Sequence, residues 1–235
     1  MSPTSDPSLP TLQALADGCL VLSHRLSEWM SLAPTMEEDV ALGNVALDLL
    51  GQARGLLQHL ATATGDPAVT EDTLAYFREP QDWRNPLICE LPNGDFAHTM
   101  LRQLFVDCWL ADVWPALAAS TDDNDVRGVA EKAIKENAYH LRHSTSWVLR
   151  LGDGTAESHQ RMLDALDVLW PYRGELRTSG WHDRVAAVLT DATLPVPPAD
   201  GWTQHSSADG WHTEHLGYLL ADMQSLARAH PGAAW

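Results

Sequence analysis

Residues 35–65 read TMEEDVALGNVALDLLGQARGLLQHLATATG, and their pattern is that of one long helix. Thr35 stands as a cap, with Glu38 three residues on, the spacing of a capping box. Gly65, followed by Pro67, marks the stop. Between these ends Val40, Ala41, Val45, Ala46, Leu49, Leu50, Ala53, Leu56, Leu57 and Leu60 form an apolar surface. It is wider than the stripe of an ordinary surface helix, so this helix is expected to be the most buried of the chain. Gly43, Gly51 and Gly55 weaken a helix interior. Close approach of a neighbouring backbone is the expected compensation. A thin polar line, Asn44, Asp48 and Gln52, runs through the apolar surface. A buried carboxylate must be paired, hydrogen-bonded or bound to a metal, so what Asp48 faces is the first functional question.

Working outward, the same periodicity recurs. A helix is expected from Thr11 to Met30, separated from the long one by Pro34. Another runs from about Asp95 to Ser120, with Asp107 in its middle and Pro115 set to kink or break it. Asp122, Asp123 and Asn124 open a fourth, whose end is at Gly152 and whose start the acids complement electrostatically. Thr155 caps a fifth, reaching about Tyr172. The last spans Thr213 to Ala229. The connection from Glu79 to Asp95 is long for a small bundle, and residues 175–210 promise only a helical turn or two around VAAVLTDA. The sequence shows no strand pattern, solenoid repeat or domain linker. The expected organisation is a mobile tail over residues 1–10 and a single all-α helix-bundle domain over residues 11–235.

Composition narrows the function. The chain has 235 residues, 45% of them hydrophobic, enough for a sizeable core. A formal net charge of −17 repels phosphate backbones and speaks against nucleic acid. No apolar run is long enough to cross a bilayer. Three scattered cysteines, Cys19, Cys89 and Cys108, suit a reducing cytoplasm better than a disulfide framework. Ten tryptophans are many. Trp202, Trp211 and Trp235 fall in irregular or terminal stretches, where contact with a partner is expected.

Long helices with inward carboxylates and histidines suggest ferritin-like di-iron chemistry, which takes a Glu from each of two helices and a Glu-x-x-His pair from each of two others. The spacing places carboxylate and imidazole on one helix face. No glutamate here is followed three residues later by histidine. Glu136 is followed by Tyr139, with His140 one place late. Asp95 with His98 and Asp209 with His212 have the spacing, but at a helix start and in a turn. The architecture therefore invites a di-iron site whose ligands are missing. Asp48, Asp107, Lys135, Glu136 and His140 are the candidates for a buried polar network instead. The plainer alternative makes Lys135 and Glu131 a solvated face, with Asp48 and Asp107 bonded to backbone or to Arg54 and Arg102. His212 and His215, three apart, could bind metal or cap the last helix. GxGxxG, P-loop and GxSxG patterns are lacking.

Five segments carry a specific resemblance: DGCLVLSHRLSEW (17–29), DVALGNVALDLLGQAR (39–54), LPNGDFAHTMLRQLFVD (91–107), AIKENAYHLRHSTSWVLRLGDGT (133–155) and HTEHLGYLLADMQ (212–224). In this order they resemble the PaaC-type subunit of the bacterial phenylacetyl-CoA epoxidase, a multicomponent oxygenase. The resemblance spans about Leu15 to Trp235 and is weakest from Glu175 to Gly210. It implies a ferritin-like fold and a structural, non-catalytic role beside a homologous catalytic subunit and further oxygenase and reductase subunits, in a hetero-oligomer, with self-association of this chain as a further expectation. That partner would hold the di-iron centre and the CoA thioester. O2 and NADPH-derived electrons would reach the complex, the electrons through a reductase subunit. It assigns no catalytic, cofactor-binding or metal-binding residue to this chain. Under this resemblance the five polar candidates become a network replacing lost metals, with Lys135 neutralising leftover carboxylates. Two other readings stay open: a stand-alone metal-dependent oxidase or oxygenase with ligands from Asp48, Asp107, Glu136 and His140, and a helical protein holding a small ligand in a bundle pocket.

Overall fold

The computed structural model describes residues 11–204 and 206–233; the expected N-terminal tail, residues 1–10, and Trp235 lie outside them. Nine α-helices and no strand occur among the described residues: α1 Leu12–Ser27, α2 Met36–Ala63, α3 Glu71–Tyr76, α4 Leu87–Glu90, α5 Phe96–Ser120, α6 Asn124–Gly152, α7 Ala156–Leu169, α8 Trp181–Asp191 and α9 Glu214–Ala229. The fold is all-α and ferritin-like.

Local chemistry sets the helix ends. The side chains of Thr11, Thr35, Asp95, Asp123, Thr155 and Thr213 each accept a backbone N–H of the first turn of the helix that follows, satisfying donors that the helix itself leaves open. Glu37, Glu38 and Asp39 crowd the first turn of α2, where the helix dipole favours negative charge.

The described residues group into two compact units. One comprises residues 11–92 and those from Ser206 onward. Its centre is the hairpin of α1 and α2, whose short connection makes them antiparallel. Leu15, Leu22 and Leu26 of α1 are buried, as are Leu42, Val45, Leu49 and Leu56 of α2. Helices α3, α4 and α9 complete this unit.

The second unit, the described residues of 93–205, is built on the hairpin of α5 and α6, with α7 and α8 packed on it. Phe105, Trp170 and Trp181 form an aromatic group with ring centroids 5.4–5.9 Å apart, Phe105 meeting both tryptophans edge-on and the two indoles tilted to each other. The Trp181 indole N–H donates to the Phe105 carbonyl at 2.8 Å. At the end of α6, a side chain on Gly152 would meet the Ala192 carbonyl oxygen at 2.3 Å, so only glycine fits there.

Several expectations need correction. Helices α1 and α5, not α2, are the most buried: eleven of the 16 residues of α1 and fifteen of the 25 of α5 are buried, against ten of 28 in α2. Part of the broad α2 surface turns outward, since Val40 is 58% exposed and Leu50 38%. No described atom beyond its own stretch of helix lies within 4 Å of a side chain built on Gly43, so no neighbouring backbone among the described residues uses that glycine. Helix α5 does not break at Pro115 but runs on to Ser120. The 79–95 connection contains a 3₁₀ turn, Pro80–Asp82, and α4. VAAVLTDA lies in the eleven-residue helix α8 and its cap.

Candidate functional site

Each compact unit has a buried polar cluster. In the second unit the cluster forms between α5 and α6 around Asp107, which has no exposed surface. Positions 103 and 107 are one helical turn apart, so both face α6. The Gln103 amide donates to Asp107 Oδ1 at 2.7 Å, and the Ser144 hydroxyl donates to Oδ2 at 2.7 Å. The Asn137 amide donates to the main-chain oxygen of Asp107 at 3.0 Å. Burial pushes the Asp107 carboxyl up to about 6, against the pull of His140, Ser144, Gln103 and His143. The amide oxygens Gln103 Oε1 and Asn137 Oδ1 have no hydrogen-bond partner among the described residues.

The five candidates separate. Asp107 and His140 are buried in this cluster. Glu136 is mostly buried but is paired with Lys132 at 2.8 Å. Asp48 is half-buried on α2, in the other unit. Lys135 is exposed and does not neutralise Asp107. The reason is geometric: Lys135 lies two residues before Asn137, and residues two apart do not share a helix face. The alternative that gives Asp107 to Arg102 is also set aside, because Arg102 bonds Asn93 Oδ1. We expect Lys135→Ala to change the melting temperature by less than ~2 °C, since surface substitutions stay within about 0.5 kcal/mol. Thermal unfolding by circular dichroism checks this, and a drop of several degrees would restore Lys135 to a structural role.

Sequence reasoning missed Gln103, Asn137 and Ser144. A signal existed. Asn137 and His140 are three apart on α6 and both are buried, which is the Glu-x-x-His spacing with an amide in place of the acid. A search for carboxylates alone passes over it.

In the first unit Glu90, fully buried at the end of α4, accepts from Asn85 Nδ2 at 2.9 Å and from the main-chain N–H of Thr213 at 2.5 Å. His212 Nδ1 lies 2.8 Å from Glu90 Oε2, and its Nε2 lies 3.0 Å from the Trp83 carbonyl. A carbonyl only accepts, so the Trp83 contact is made by Nε2–H, and the ring bridges Trp83 and Glu90. His212 is therefore a buried clamp on α4 rather than a surface cap. Thr213 provides the cap of α9. In the same unit Asp17, also fully buried, is held by both terminal nitrogens of Arg78 and by the Arg84 N–H at 2.9 Å.

A di-iron centre needs several carboxylates converging with two imidazoles. The cluster around Asp107 offers one carboxylate, already committed to Gln103 and Ser144, and two neutral amides. Among the described residues no group of three or more His, Cys, Asp or Glu side chains could hold a metal ion. The residues present do not fit such a centre. No helix among the described residues is long and apolar enough to cross a membrane.

An all-helical, ferritin-like protein with an amide-lined polar cluster between two long helices defines the class. Comparison with known proteins gives the family. The family model for phenylacetic acid catabolic protein matches residues 2–180 and 174–235, and the chain belongs to that family. It is 42% identical over 242 residues to the C subunit of 1,2-phenylacetyl-CoA epoxidase from Escherichia coli (strain K12), with 94% of this chain and 96% of the relative covered.

Proposed function

We propose that this chain is the PaaC-type accessory subunit of an epoxidase acting on phenylacetyl-CoA in phenylacetate catabolism. In this reading the di-iron centre and the thioester site belong to a homologous catalytic partner, and this chain supports that partner within a cytoplasmic hetero-oligomer. Electrons derived from NADPH arrive through a reductase subunit, and O2 is the oxidant. The full-length identity to the Escherichia coli protein supports the assignment of complex and pathway. The accessory role is carried by one observation: Gln103 and Asn137 present amides to Asp107, where a di-iron helix pair would present acids.

The test is iron per chain by elemental analysis, on protein expressed alone in iron-supplemented cells, followed by co-expression with a catalytic subunit of the same family. Essentially no iron alone, a stable complex on co-expression, and epoxidation only by the complex are expected. About two irons per chain in the isolated protein would overturn the accessory reading. Asp48, Asp107, Glu136 and His140 would then be the first residues to substitute.

A further inference from the structure

Residues 91–95, just before α5, read LPNGD. Asparagine followed by glycine is the pair most open to attack by the next main-chain nitrogen on the side-chain amide, because no Cβ stands in the way. Three features of the fold bear on that attack. Gly94 is exposed, sits at φ +60°, and its N–H meets no acceptor among the described residues. Its nitrogen is therefore open to water and to a base. Asn93 Oδ1 accepts from Nη2 of Arg102, a fully buried guanidinium. A cation on the carbonyl oxygen draws electrons from Cγ and stabilises an oxyanion formed there. Finally, the His98 ring closes over Gly94. A side chain on Gly94 would meet His98 Cβ and Cγ at 3.0 Å and Nδ1 at 3.4 Å, so only glycine fits. His98 Nδ1 has no hydrogen-bond partner among the described residues. Burial and the Arg102 charge push His98 down to about 4, so at neutral pH the ring is neutral and able to take a proton.

The geometry points to Asn93 as a self-modifying residue, whose side-chain amide is converted to a carboxylate in the folded protein through attack by Gly94. The Gly94 nitrogen bonds to Asn93 Cγ and gives its proton to His98 Nδ1, directly or through one water. Arg102 holds the tetrahedral oxyanion. The Cγ–Nδ2 bond then breaks, and the leaving nitrogen takes the proton from His98 and departs as ammonia. Water, the only co-reactant, opens the cyclic imide at either carbonyl and leaves aspartate or isoaspartate in place of Asn93. The aspartate product faces Arg102 with a carboxylate instead of an amide, so a hydrogen bond becomes an ion pair. The isoaspartate product lengthens the main chain by one methylene just ahead of Asp95, the cap of α5.

Full-length protein aged for weeks near neutral pH tests this. Peptide mass spectrometry reads the change from amide to acid at Asn93, and methyl transfer by an isoaspartyl methyltransferase reads the isoaspartate. Conversion is expected to run at least ~10-fold faster in the folded chain than in the same chain unfolded in guanidinium chloride. Arg102→Met should slow it at least ~10-fold, and His98→Gln by about the same factor. His98 is half-buried, so His98→Gln decides the matter if Arg102→Met does not fold. Asn93→Gln supplies the blank. An Asn93 that stays an amide, or that converts no faster folded than unfolded, would overturn the inference. So would a rate indifferent to His98→Gln.

Discussion

Arg78→Ala lowers the melting temperature by roughly 6–20 °C. Asp17 is fully buried, and burial alone pushes its carboxyl above the usual range even with Arg78 and the Arg84 N–H pulling it down. Removing Arg78 strands that carboxyl. Breaking a buried pair from one side costs about 3–5 kcal/mol, and each kcal/mol moves the midpoint by about 2–4 °C in a protein of this size. The guanidinium also stacks 4.2 Å over the Trp83 ring, so packing is lost with charge. The remaining carboxyl takes a proton more readily when folded than unfolded, so the deficit should be larger at pH 8 than at pH 5. Melting curves at both values check the size and the direction. A loss under ~2 °C at pH 8 would mean that water replaces Arg78 at little cost.

Asp107→Asn works in the opposite sense. Its carboxyl titrates near 6 when folded, against an ordinary 3.8. Between these values the folded state holds a proton that the unfolded chain has released. Stability therefore falls as pH rises from about 4 to above 6, by up to about 3 kcal/mol. Asparagine keeps the shape, accepts from Gln103 and can donate to Ser144, without the charge. The variant should melt higher than the parent at pH 8, by roughly 6–12 °C, and the difference should vanish near pH 4. Parallel curves with no pH-dependent gap would show that the ionised carboxylate is fully compensated.

How much of this could be read from the residues alone depends on the range of each interaction. Helix starts were legible because a cap and its N–H partner are two or three residues apart, as at Thr35, Asp95 and Thr155. The polar candidates were legible only by type. Asp107 and His140 lie on the buried face of their helices, whereas Lys135 lies outside, and the difference is one of rotation about α6. Glu90 gave no signal, since its partners His212 and Thr213 come from more than a hundred residues away in sequence. The two faces of α2 look alike in sequence because apolar content does not record which side a neighbour covers.

Gln103 and Asn137 have a consequence in mutational terms. Each differs from the corresponding acid by an amino group in place of an oxygen, and in the genetic code by one base. Two point substitutions, Gln103→Glu and Asn137→Asp, would surround Asp107 with two further carboxylates while leaving side-chain volumes almost unchanged. The interior of this unit is thus separated from an acid-rich one by charge alone, a distance that mutation crosses easily in either direction.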